Sequence, residues 1–493
     1  MLDDSESRTA TERSRSTLQN AGLIIGLLVF AGFLLSEPMA GMSRAAWVTA
    51  GVTILMALWW TTEALPLAAT ALVPITILPV CGAGELEKVG GGYGNSTVFL
   101  ILGGFLIALA MERWDLHKRI AYSIVVRAGG QPRLLVLGMM GATAFVSMWT
   151  SNTATTLMMI PVALSIAEVV APAGRRATLS ERNFAAAIVL CVAYGATIGG
   201  LGTLVGTPTN ALVVGFMRDN YGQTISFAEW LVFGLPTVAL LLPSCWLVLV
   251  RYALPFQLET QTAARDAVAA ALQELGAMTV AEKRIGVVFV LTAAAWIARP
   301  LLMKLPGLGA LNDAGIALGA GLLLFVIPAG TPSREPLLNA EALKRVPWDV
   351  LVLFGGGLAL AAAIQDSGLS AVVAQSLTGL AGLPLLGLTL AITVLLVFWT
   401  ELNSNVAAAA TFIPILAALA AATNYPPLML VAPAAMAASC GFMLPVGTPP
   451  NAIVYGTGRV EIRAMMRAGF IADLLSVLVI TTVAMTVLPL ILK

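Results

Sequence analysis

The stretch SMWTSNTATTLMMIP, residues 147–161, places polar side chains in the middle of a long apolar run. Five Thr or Ser hydroxyls and one amide lie within the seven residues from Thr150 to Thr156. Of the 493 residues, 58% are hydrophobic and only 11% are charged, whereas about a quarter of a soluble domain is charged. Several apolar segments are long enough to cross a bilayer. We therefore expect an all-α polytopic membrane protein, in which this polar stretch has a specific purpose.

Three segments of the first half of the chain, one of them lying within this stretch, recur in the second half in the same order. The segment VFLILGGFLIALAMERWDL at 98–116 resembles VLVLFGGGLALAAAIQDSGL at 350–369. TSNTATTLMMIP at 150–161 resembles NSNVAAAATFIP at 403–414, and GTPTN at 206–210 resembles GTPPN at 447–451. The copies are separated by 252, 253 and 241 residues. This spacing indicates an internal repeat.

The basic residues predict how the two copies are oriented in the membrane. With about eleven spans, two re-entrant hairpins and a cytoplasmic N-terminus, 21 of the 27 lysines and arginines fall on the inner side. Arg133 and Arg175–Arg176 flank the first Ser-Asn segment, so both of its ends are expected to face the cytoplasm. The second lies between Gly368 and Tyr425, without lysine or arginine, and is expected to come from outside. Such opposite orientation is typical of inverted-topology repeats in secondary transporters.

These landmarks divide the chain into consecutive segments. The expected segments are a polar cytoplasmic tail (1–20), N-terminal scaffold helices (21–92), repeat 1 (93–255), a cytoplasmic amphipathic linker (256–284), further scaffold helices (285–346) and repeat 2 (347–493). In repeat 1 we expect a re-entrant hairpin near 134–170 and a broken helix near 183–217. In repeat 2 we expect a hairpin near 383–423, a broken helix near 427–456 and a last helix at 464–491.

The broken backbone at these motifs has the chemistry of an ion and anion site. Irregular backbone at membrane depth is tolerated only where it is buried in protein or lines a water-filled cavity. The glycines permit unusual dihedral angles and the prolines favour the start of a new helix. Free carbonyls with hydroxyl and amide oxygens offer hard ligands for Na⁺, while helix N-termini suit a carboxylate or sulfate. A lone Ser-Asn-Thr is more often a helix-packing contact, but its duplication beside each helix break favours the site.

Charge and motif content narrow the class of function further. The ranges 134–167, 183–217 and 402–458 contain no charged residue, so bound cations and helix dipoles would neutralise a dianion there. Glu401 is adjacent to this last range and is a functional candidate, although a role in holding the hairpin backbone or a position facing water is equally expected. The sequence has no G-x-x-x-x-G-K-[ST] phosphate loop, and it lacks a metal cluster or nucleophile–base set. A transporter is favoured over an ATP-driven pump, a channel or an enzyme, and no nucleic-acid partner is expected.

Together with GGFLIALAMERWDLHKRIA, these motifs resemble the divalent anion/sodium symporters, a family of dicarboxylate, citrate and sulfate carriers. The similarity runs from about residue 20 to the C-terminus. It implies a homodimer in a lipid membrane, most simply the bacterial inner membrane, with scaffold and transport domains that work as an elevator. It also implies Na⁺-driven import of a C4-dicarboxylate such as succinate. Citrate, 2-oxoglutarate or sulfate, and Na⁺-independent exchange, stay open.

The resemblance also implies a role for each residue of the paired motifs. The first Na⁺ site would use Ser147, Ser151, Asn152 and the carbonyl of Gly206. The second would use Thr400, the carbonyl of Asn403, Asn405 and the carbonyl of Gly447. The substrate carboxylates would meet Asn152, Thr153, Thr207, Ser404, Asn405, Thr448 and the region of Pro449. Val406 occupies the position where many dicarboxylate carriers have threonine, so one substrate contact there is expected to be lost or made elsewhere.

Overall fold

The computed structural model describes residues 16–39, 41–172, 177–259, 262–380 and 382–492. Within them the chain forms twenty-three α-helices and no strand. Most of the expected polar tail, residues 1–15, lies outside the described residues, as do Arg175 and Arg176.

The helices follow one another with short connections. Those before the first hairpin are α1 (Thr17–Leu35), α2 (Arg44–Thr62), α3 (Leu67–Thr70), α4 (Val73–Val80), α5 (Leu86–Gly91), α6 (Ser96–Arg113) and α7 (Leu116–Arg127). The next are α8 (Pro132–Ser147), α9 (Asn152–Val170), α10 (Leu179–Gly200), α11 (Pro208–Tyr221), α12 (Phe227–Leu247) and α13 (Thr262–Glu274). A π-helical turn, Val248–Ala253, extends α12. The rest are α14 (Val280–Leu302), α15 (Asp313–Val326), α16 (Ala340–Lys344), α17 (Trp348–Asp366), α18 (Leu369–Ser376), α19 (Leu385–Thr400), α20 (Asn405–Ala422), α21 (Leu428–Ser439), α22 (Pro449–Gly456) and α23 (Ile462–Ile491).

The helices confirm the expected class of polytopic membrane protein. Ten helical stretches of the described chain are long and apolar enough to cross a membrane, and five shorter apolar helices accompany them. Two of the ten, α9 and α20, are the second arms of the Ser-Asn hairpins. Several spans are interrupted and consist of two consecutive helices, such as α10 with α11 and α21 with α22. When each such pair is counted as one span, the helices agree with the expected number of about eleven spans and two hairpins.

Polar side chains determine where several of these helices begin. The Ser226 hydroxyl accepts a hydrogen bond from the Glu229 N–H, and the Glu229 carboxylate accepts one from the Ser226 N–H. Thr279 and Glu282 form the same reciprocal pair at the start of α14. Such capping boxes satisfy N–H groups that the first helical turn leaves without partners.

The two hairpins have their open ends on opposite sides of the protein. At the base of the first hairpin, the Trp246 indole near the end of α12 donates to the Arg133 carbonyl at 2.9 Å. At the base of the second, the Tyr425 hydroxyl donates to the Leu383 carbonyl at 3.2 Å. The start of α21, which follows this base, lies beside Trp230 in the first turn of α12. The bases therefore lie at opposite ends of α12, as an inverted repeat requires.

Small residues allow the hairpins to pack closely on the interrupted helices. A β-carbon at Gly199 of α10 would lie 2.2 Å from the Ala144 carbonyl oxygen of α8. A β-carbon at Gly195 would lie 2.6 Å from the Met140 carbonyl oxygen of the same helix. No side chain fits at such distances, so α8 and α10 are in backbone contact. This contact holds the end of α8, and with it Ser147, against α10.

Gly199→Ala should destabilise the protein by about 1–3 kcal/mol, because the new methyl group forces α8 away from α10. Thermal unfolding of the purified protein in detergent would show a lower melting temperature. Gly141→Ala in α8 is the matched control, since a β-carbon there meets nothing within 4 Å. It should leave the melting temperature unchanged or raise it slightly, because alanine favours helix. Equal melting temperatures for the two variants would contradict the close contact.

Candidate functional site

The turn of the first hairpin brings three oxygen atoms together. α8 ends at Ser147, and α9 begins at Asn152 with Ser151 as its N-cap. The Ser147 hydroxyl oxygen lies 2.8 Å from Asn152 Oδ1 and 2.7 Å from the carbonyl oxygen of Ala196 in α10. We call Ser147 Oγ, Asn152 Oδ1 and the Ala196 carbonyl oxygen the first oxygen cluster.

The second hairpin repeats this geometry with a threonine in place of the serine. The Thr400 hydroxyl oxygen lies 2.7 Å from Asn405 Oδ1 and 2.7 Å from the carbonyl oxygen of Ala438 in α21. The Asn405 amide nitrogen donates to the Ser439 carbonyl at 3.4 Å, which directs Oδ1 toward Thr400. These three oxygens, from Thr400, Asn405 and Ala438, are the second oxygen cluster.

Each oxygen cluster contains more hydrogen-bond acceptors than its single hydroxyl hydrogen can satisfy. Ser147 and Thr400 are fully buried, and each faces two carbonyl-type oxygens. A hydroxyl group carries only one hydrogen, so it donates to one of the two oxygens and leaves the other facing an oxygen atom. A bound cation would satisfy all three oxygens at once. Their neutral, hard oxygen chemistry fits a small monovalent ion such as Na⁺.

The broken helices bring further predicted ligands to the same places. A β-carbon at Gly200 would lie 2.6 Å from Asn152 Oδ1 and 3.2 Å from the Gly206 carbonyl oxygen. The amide of Asn152 and the carbonyl of Gly206 therefore meet on one side of Gly200. On the other repeat, a β-carbon at Gly441 would lie 3.4 Å from Thr400 Cγ2 and 3.6 Å from Thr448 Cγ2. Each hairpin turn thus lies against the break in its own repeat.

The asparagine of each Gly-Thr-Pro-x-Asn motif holds the broken segment in shape. Asn210 Nδ2 donates to the carbonyls of Gly200 at 3.0 Å and Thr203 at 2.8 Å. Asn451 Nδ2 donates to the carbonyls of Gly441 and Leu444, both at 3.0 Å. These residues were missing from the predicted site, although both belong to the motif that marked it. Their role is to tie the unwound backbone rather than to line the cavity.

One cavity of about 930 Å³ collects nearly all of the sequence-predicted residues. The predicted residues that line it are Ser151, Asn152, Thr153, Gly206, Thr207, Asn403, Ser404, Asn405, Val406, Gly447, Thr448 and Pro449. Ser147 and Thr400 do not line it, because they lie fully buried behind the hairpin turns. The carbonyls of Ala196 and Ala438 were not predicted, since a carbonyl inside a helix leaves no mark in the sequence.

Four helices begin at this cavity. α9, α11, α20 and α22 start one residue after Ser151, Thr207, Ser404 and Thr448, which are all lining residues. The first turns carry partial positive charge and free N–H groups. Among the described lining residues Glu63 is the one charged side chain, and none is lysine or arginine. An anion in this cavity would therefore be bound by helix N-termini and nearby cations.

The cavity reaches the surface at one end of the protein. Its lining includes the exposed residues Ser16, at the start of α1, and Glu63, at the end of α2. It also includes Pro347, immediately before α17. Of these three, Ser16 belongs to the polar tail, residues 1–20, that is expected on the cytoplasmic side.

Glu401 does not line the cavity, and its carboxylate binds backbone. It accepts hydrogen bonds from the N–H groups of Met443 and Leu444, both at 2.7 Å. Only 1% of the residue is exposed. The expectation that Glu401 faces water is therefore wrong. Its carboxylate holds backbone as expected, although that backbone belongs to the broken helix rather than to the hairpin.

The sequence of this chain matches a known family over almost its whole length. The family model described as "Sodium:sulfate symporter transmembrane region" matches residues 17–492. The chain belongs to this family. The resemblance drawn from the repeated motifs is thereby confirmed, and the family is one of membrane carriers rather than enzymes.

Relatives of this symporter-family chain share most of its length. The sodium-dependent dicarboxylate transporter SdcS of Staphylococcus saprophyticus is 42% identical over 481 residues, covering 97% of this chain and 93% of that protein. SdcS of Staphylococcus aureus strain MRSA252 is 42% identical over 492 residues, covering 99% and 94%. The crystal structure of the YdaH transporter of Alcanivorax borkumensis has a TM-score of 0.57 at 16% identity, covering 88% of this chain and 97% of that chain. This structural likeness supports the fold alone.

The oxygen clusters predict that Na⁺ stabilises the purified protein. Replacing choline chloride by sodium chloride at constant ionic strength should raise the melting temperature, because binding to the folded state alone shifts the unfolding equilibrium. Ser147→Ala and Thr400→Val should each lower this Na⁺-dependent rise by about half or more.

Thr143→Val in α8 is the control for both variants. Thr143 is also buried, but its hydroxyl donates within its own helix to the Met139 carbonyl at 2.7 Å. The full Na⁺-dependent rise should persist in this variant. A rise of the same size in all three variants would show that the hydroxyls do not belong to cation sites.

Proposed function

We propose that this protein is a Na⁺-coupled symporter that imports a C4-dicarboxylate such as succinate. The observation that carries the proposal is the pair of equivalent oxygen clusters beside one cavity surrounded by four helix N-termini. The names of the SdcS relatives, at 42% identity over nearly the whole chain, support both the cation and the dicarboxylate.

In this proposal Na⁺ is held at the two hairpin turns. The first ion binds Ser147, Ser151, Asn152 and the Gly206 carbonyl. The second binds Thr400, the Asn403 carbonyl, Asn405 and the Gly447 carbonyl. The carbonyls of Ala196 and Ala438 face the same hydroxyls and add an oxygen to each set.

Na⁺ binding and substrate binding would then support each other for two reasons. The cation supplies positive charge, and the two kinds of site share residues. A dianion entering a cavity without lysine or arginine lacks a full positive charge until Na⁺ is bound nearby. Asn152 and Asn405 belong both to the proposed cation ligands and to the proposed substrate contacts. The side chain of each lies at an oxygen cluster, and the helix that begins at each has its N-terminus at the cavity. A filled cation site therefore also fixes the amide that meets the substrate.

The substrate would bind between the two repeats. One carboxylate would meet Asn152, Thr153 and Thr207, and the other would meet Ser404, Asn405, Thr448 and the backbone near Pro449. Val406 faces the cavity at the position equivalent to Thr153 and offers only methyl groups. A short dicarboxylate with one carboxylate at each pair of helix N-termini fits this arrangement, and citrate, 2-oxoglutarate or sulfate would use it less fully.

The transport movement is also part of the proposal. The cavity reaches the surface beside the start of α1 and the end of α2, which would be the cytoplasmic side, so the described conformation is inward-facing. We expect the hairpins, the broken helices, α12 and α23 to move as one body against the remaining scaffold, in a homodimer. The membrane would be the bacterial plasma membrane, with the N-terminus inside.

Uptake of radiolabelled succinate into proteoliposomes tests the proposed function. An inward Na⁺ gradient should drive accumulation, whereas choline or potassium gradients should not. Counterflow with internal succinate distinguishes symport from exchange. Uptake that ignores Na⁺ but requires internal dicarboxylate would overturn the symport proposal and indicate an exchanger on the same scaffold.

Asn152→Ala and Asn405→Ala should each reduce Na⁺-driven uptake by about a hundredfold or more, because each variant loses a cation ligand and a substrate contact together. Size-exclusion chromatography should show unchanged assembly. Asn220→Ala is the control, since the Asn220 amide donates to the Phe216 carbonyl at the far end of α11. Near-normal uptake by either cavity variant would contradict the site assignment.

Substitutions at Val406 and Thr153 should have opposite effects on the affinity for succinate. Val406→Thr should lower the KM for succinate by about threefold to fivefold, because it supplies the missing hydroxyl hydrogen bond. Thr153→Val should raise the KM by a similar factor. Both are measured at saturating Na⁺ in the same vesicles. If neither variant changes the KM, these third positions do not contact the substrate.

A further inference from the structure

The long helices α12 and α23 each pack a glycine against the loop of the broken helix in their own repeat. These two contacts show which residues of α12 and α23 are equivalent. A β-carbon at Gly234 of α12 would lie 2.6 Å from the Gly202 carbonyl oxygen. A β-carbon at Gly469 of α23 would lie 2.3 Å from the Phe442 carbonyl oxygen. The residues one helical turn later are therefore equivalent: Val238 in repeat 1 and Asp473 in repeat 2.

Asp473 and Glu401 together hold three consecutive N–H groups of the loop between α21 and α22. Asp473 Oδ1 accepts from Phe442 at 3.2 Å, and Glu401 accepts from Met443 and Leu444. Asp473 has no exposed surface, and its carboxyl group lies against that of Glu401. Burying a carboxyl group away from water is costly. Its burial within α23 therefore indicates a role beyond packing.

In the first repeat, no carboxyl group of the described residues holds the equivalent loop. Met148 stands at the position of Glu401, and its side chain would lie 2.9 Å from a β-carbon at Gly202. The Thr203 hydroxyl accepts from the Gly206 N–H at 3.1 Å and donates to the Met148 carbonyl. The oxygen clusters of the two repeats are alike, but within the described chain only the second has carboxyl groups beside its loop.

We propose that Asp473 is a positioning residue for the second cation site. It acts through the Phe442 N–H and beside the Glu401 carboxylate on the loop that leads to Gly447, and the inference rests on the Na⁺ coupling proposed above. A β-carbon at Gly447 would lie 2.8 Å from Glu401 Oε2, so the carboxyl pair lies directly against this part of the site. The pair holds the backbone that leads to Gly447 and so fixes the direction of the Gly447 carbonyl. The second site should therefore bind Na⁺ more tightly than the first.

Asp473→Val tests the inference by giving repeat 2 the residue of repeat 1. The Na⁺ concentration for half-maximal succinate uptake should rise about tenfold, while the KM for succinate at saturating Na⁺ stays within about twofold. Asp473→Asn keeps an acceptor for the Phe442 N–H, so it should give a smaller rise of about threefold. Should the valine variant fail to fold, the asparagine variant decides alone.

Thr237→Val is the matched control on the equivalent helix. Thr237 is fully buried in α12 beside Val238, and its hydroxyl donates to the Phe233 carbonyl of its own helix at 3.0 Å. This variant should leave the Na⁺ dependence unchanged. A purely structural role of Asp473 would lower the melting temperature equally in sodium and choline, and would leave the half-maximal Na⁺ concentration at the wild-type value. That result overturns the inference.

A double-mutant cycle identifies which cation site Asp473 serves. Combined with Thr400→Val, the Asp473 variant that folds should raise the Na⁺ requirement by much less than the product of the single effects. Combined with Ser147→Ala, the effects should multiply, since that residue belongs to the other cluster. The reverse pattern contradicts the assignment to the second site. A wild-type protein whose uptake ignores Na⁺ would instead overturn the proposed function, and the inference with it.

Discussion

One hydroxyl hydrogen between two carbonyl-type oxygens is the constraint on which this site depends. Ser147 and Thr400 are fully buried, and each faces an asparagine amide oxygen and a helix carbonyl. The close backbone contact at Gly199 keeps α8, and so Ser147, in this position. In the proposed sites a cation would make up for the shortage of donors, and its charge would compensate for the absence of basic side chains among the described residues that line the cavity.

The two repeats provide equivalent geometry but different surroundings. Each has a hairpin turn, a broken helix and an asparagine that ties the unwound loop through two carbonyls. The second repeat replaces Met148 and Val238 by two carboxyl groups, and it replaces the cavity-facing Thr153 by Val406. In the proposed function, this symmetry would provide one cation site and one carboxylate site in each repeat, and these substitutions would make the two halves bind differently.

Much of this arrangement could be predicted from the sequence, because the motifs are duplicated and the basic residues are unevenly distributed. The hairpins, the helix breaks and the convergence of their residues on one cavity all follow from these two patterns. The carbonyls of Ala196 and Ala438 could not be predicted, since any helical residue carries the same group. Asp473 was also missed, because it has no copy in repeat 1 and lies about thirty residues after the loop it holds. Glu401 was recognised as unusual, but only the backbone contacts show what it binds.

The most direct test of the central claim is a pair of cryo-EM maps of the protein with a dicarboxylate, one in sodium chloride and one in choline chloride. The account predicts a density at each oxygen cluster in sodium, between the hydroxyl, the asparagine amide and the helix carbonyl. Both densities should be absent in choline. Maps that are identical at Ser147 and Thr400, or a sodium-dependent density elsewhere in the cavity, would contradict it.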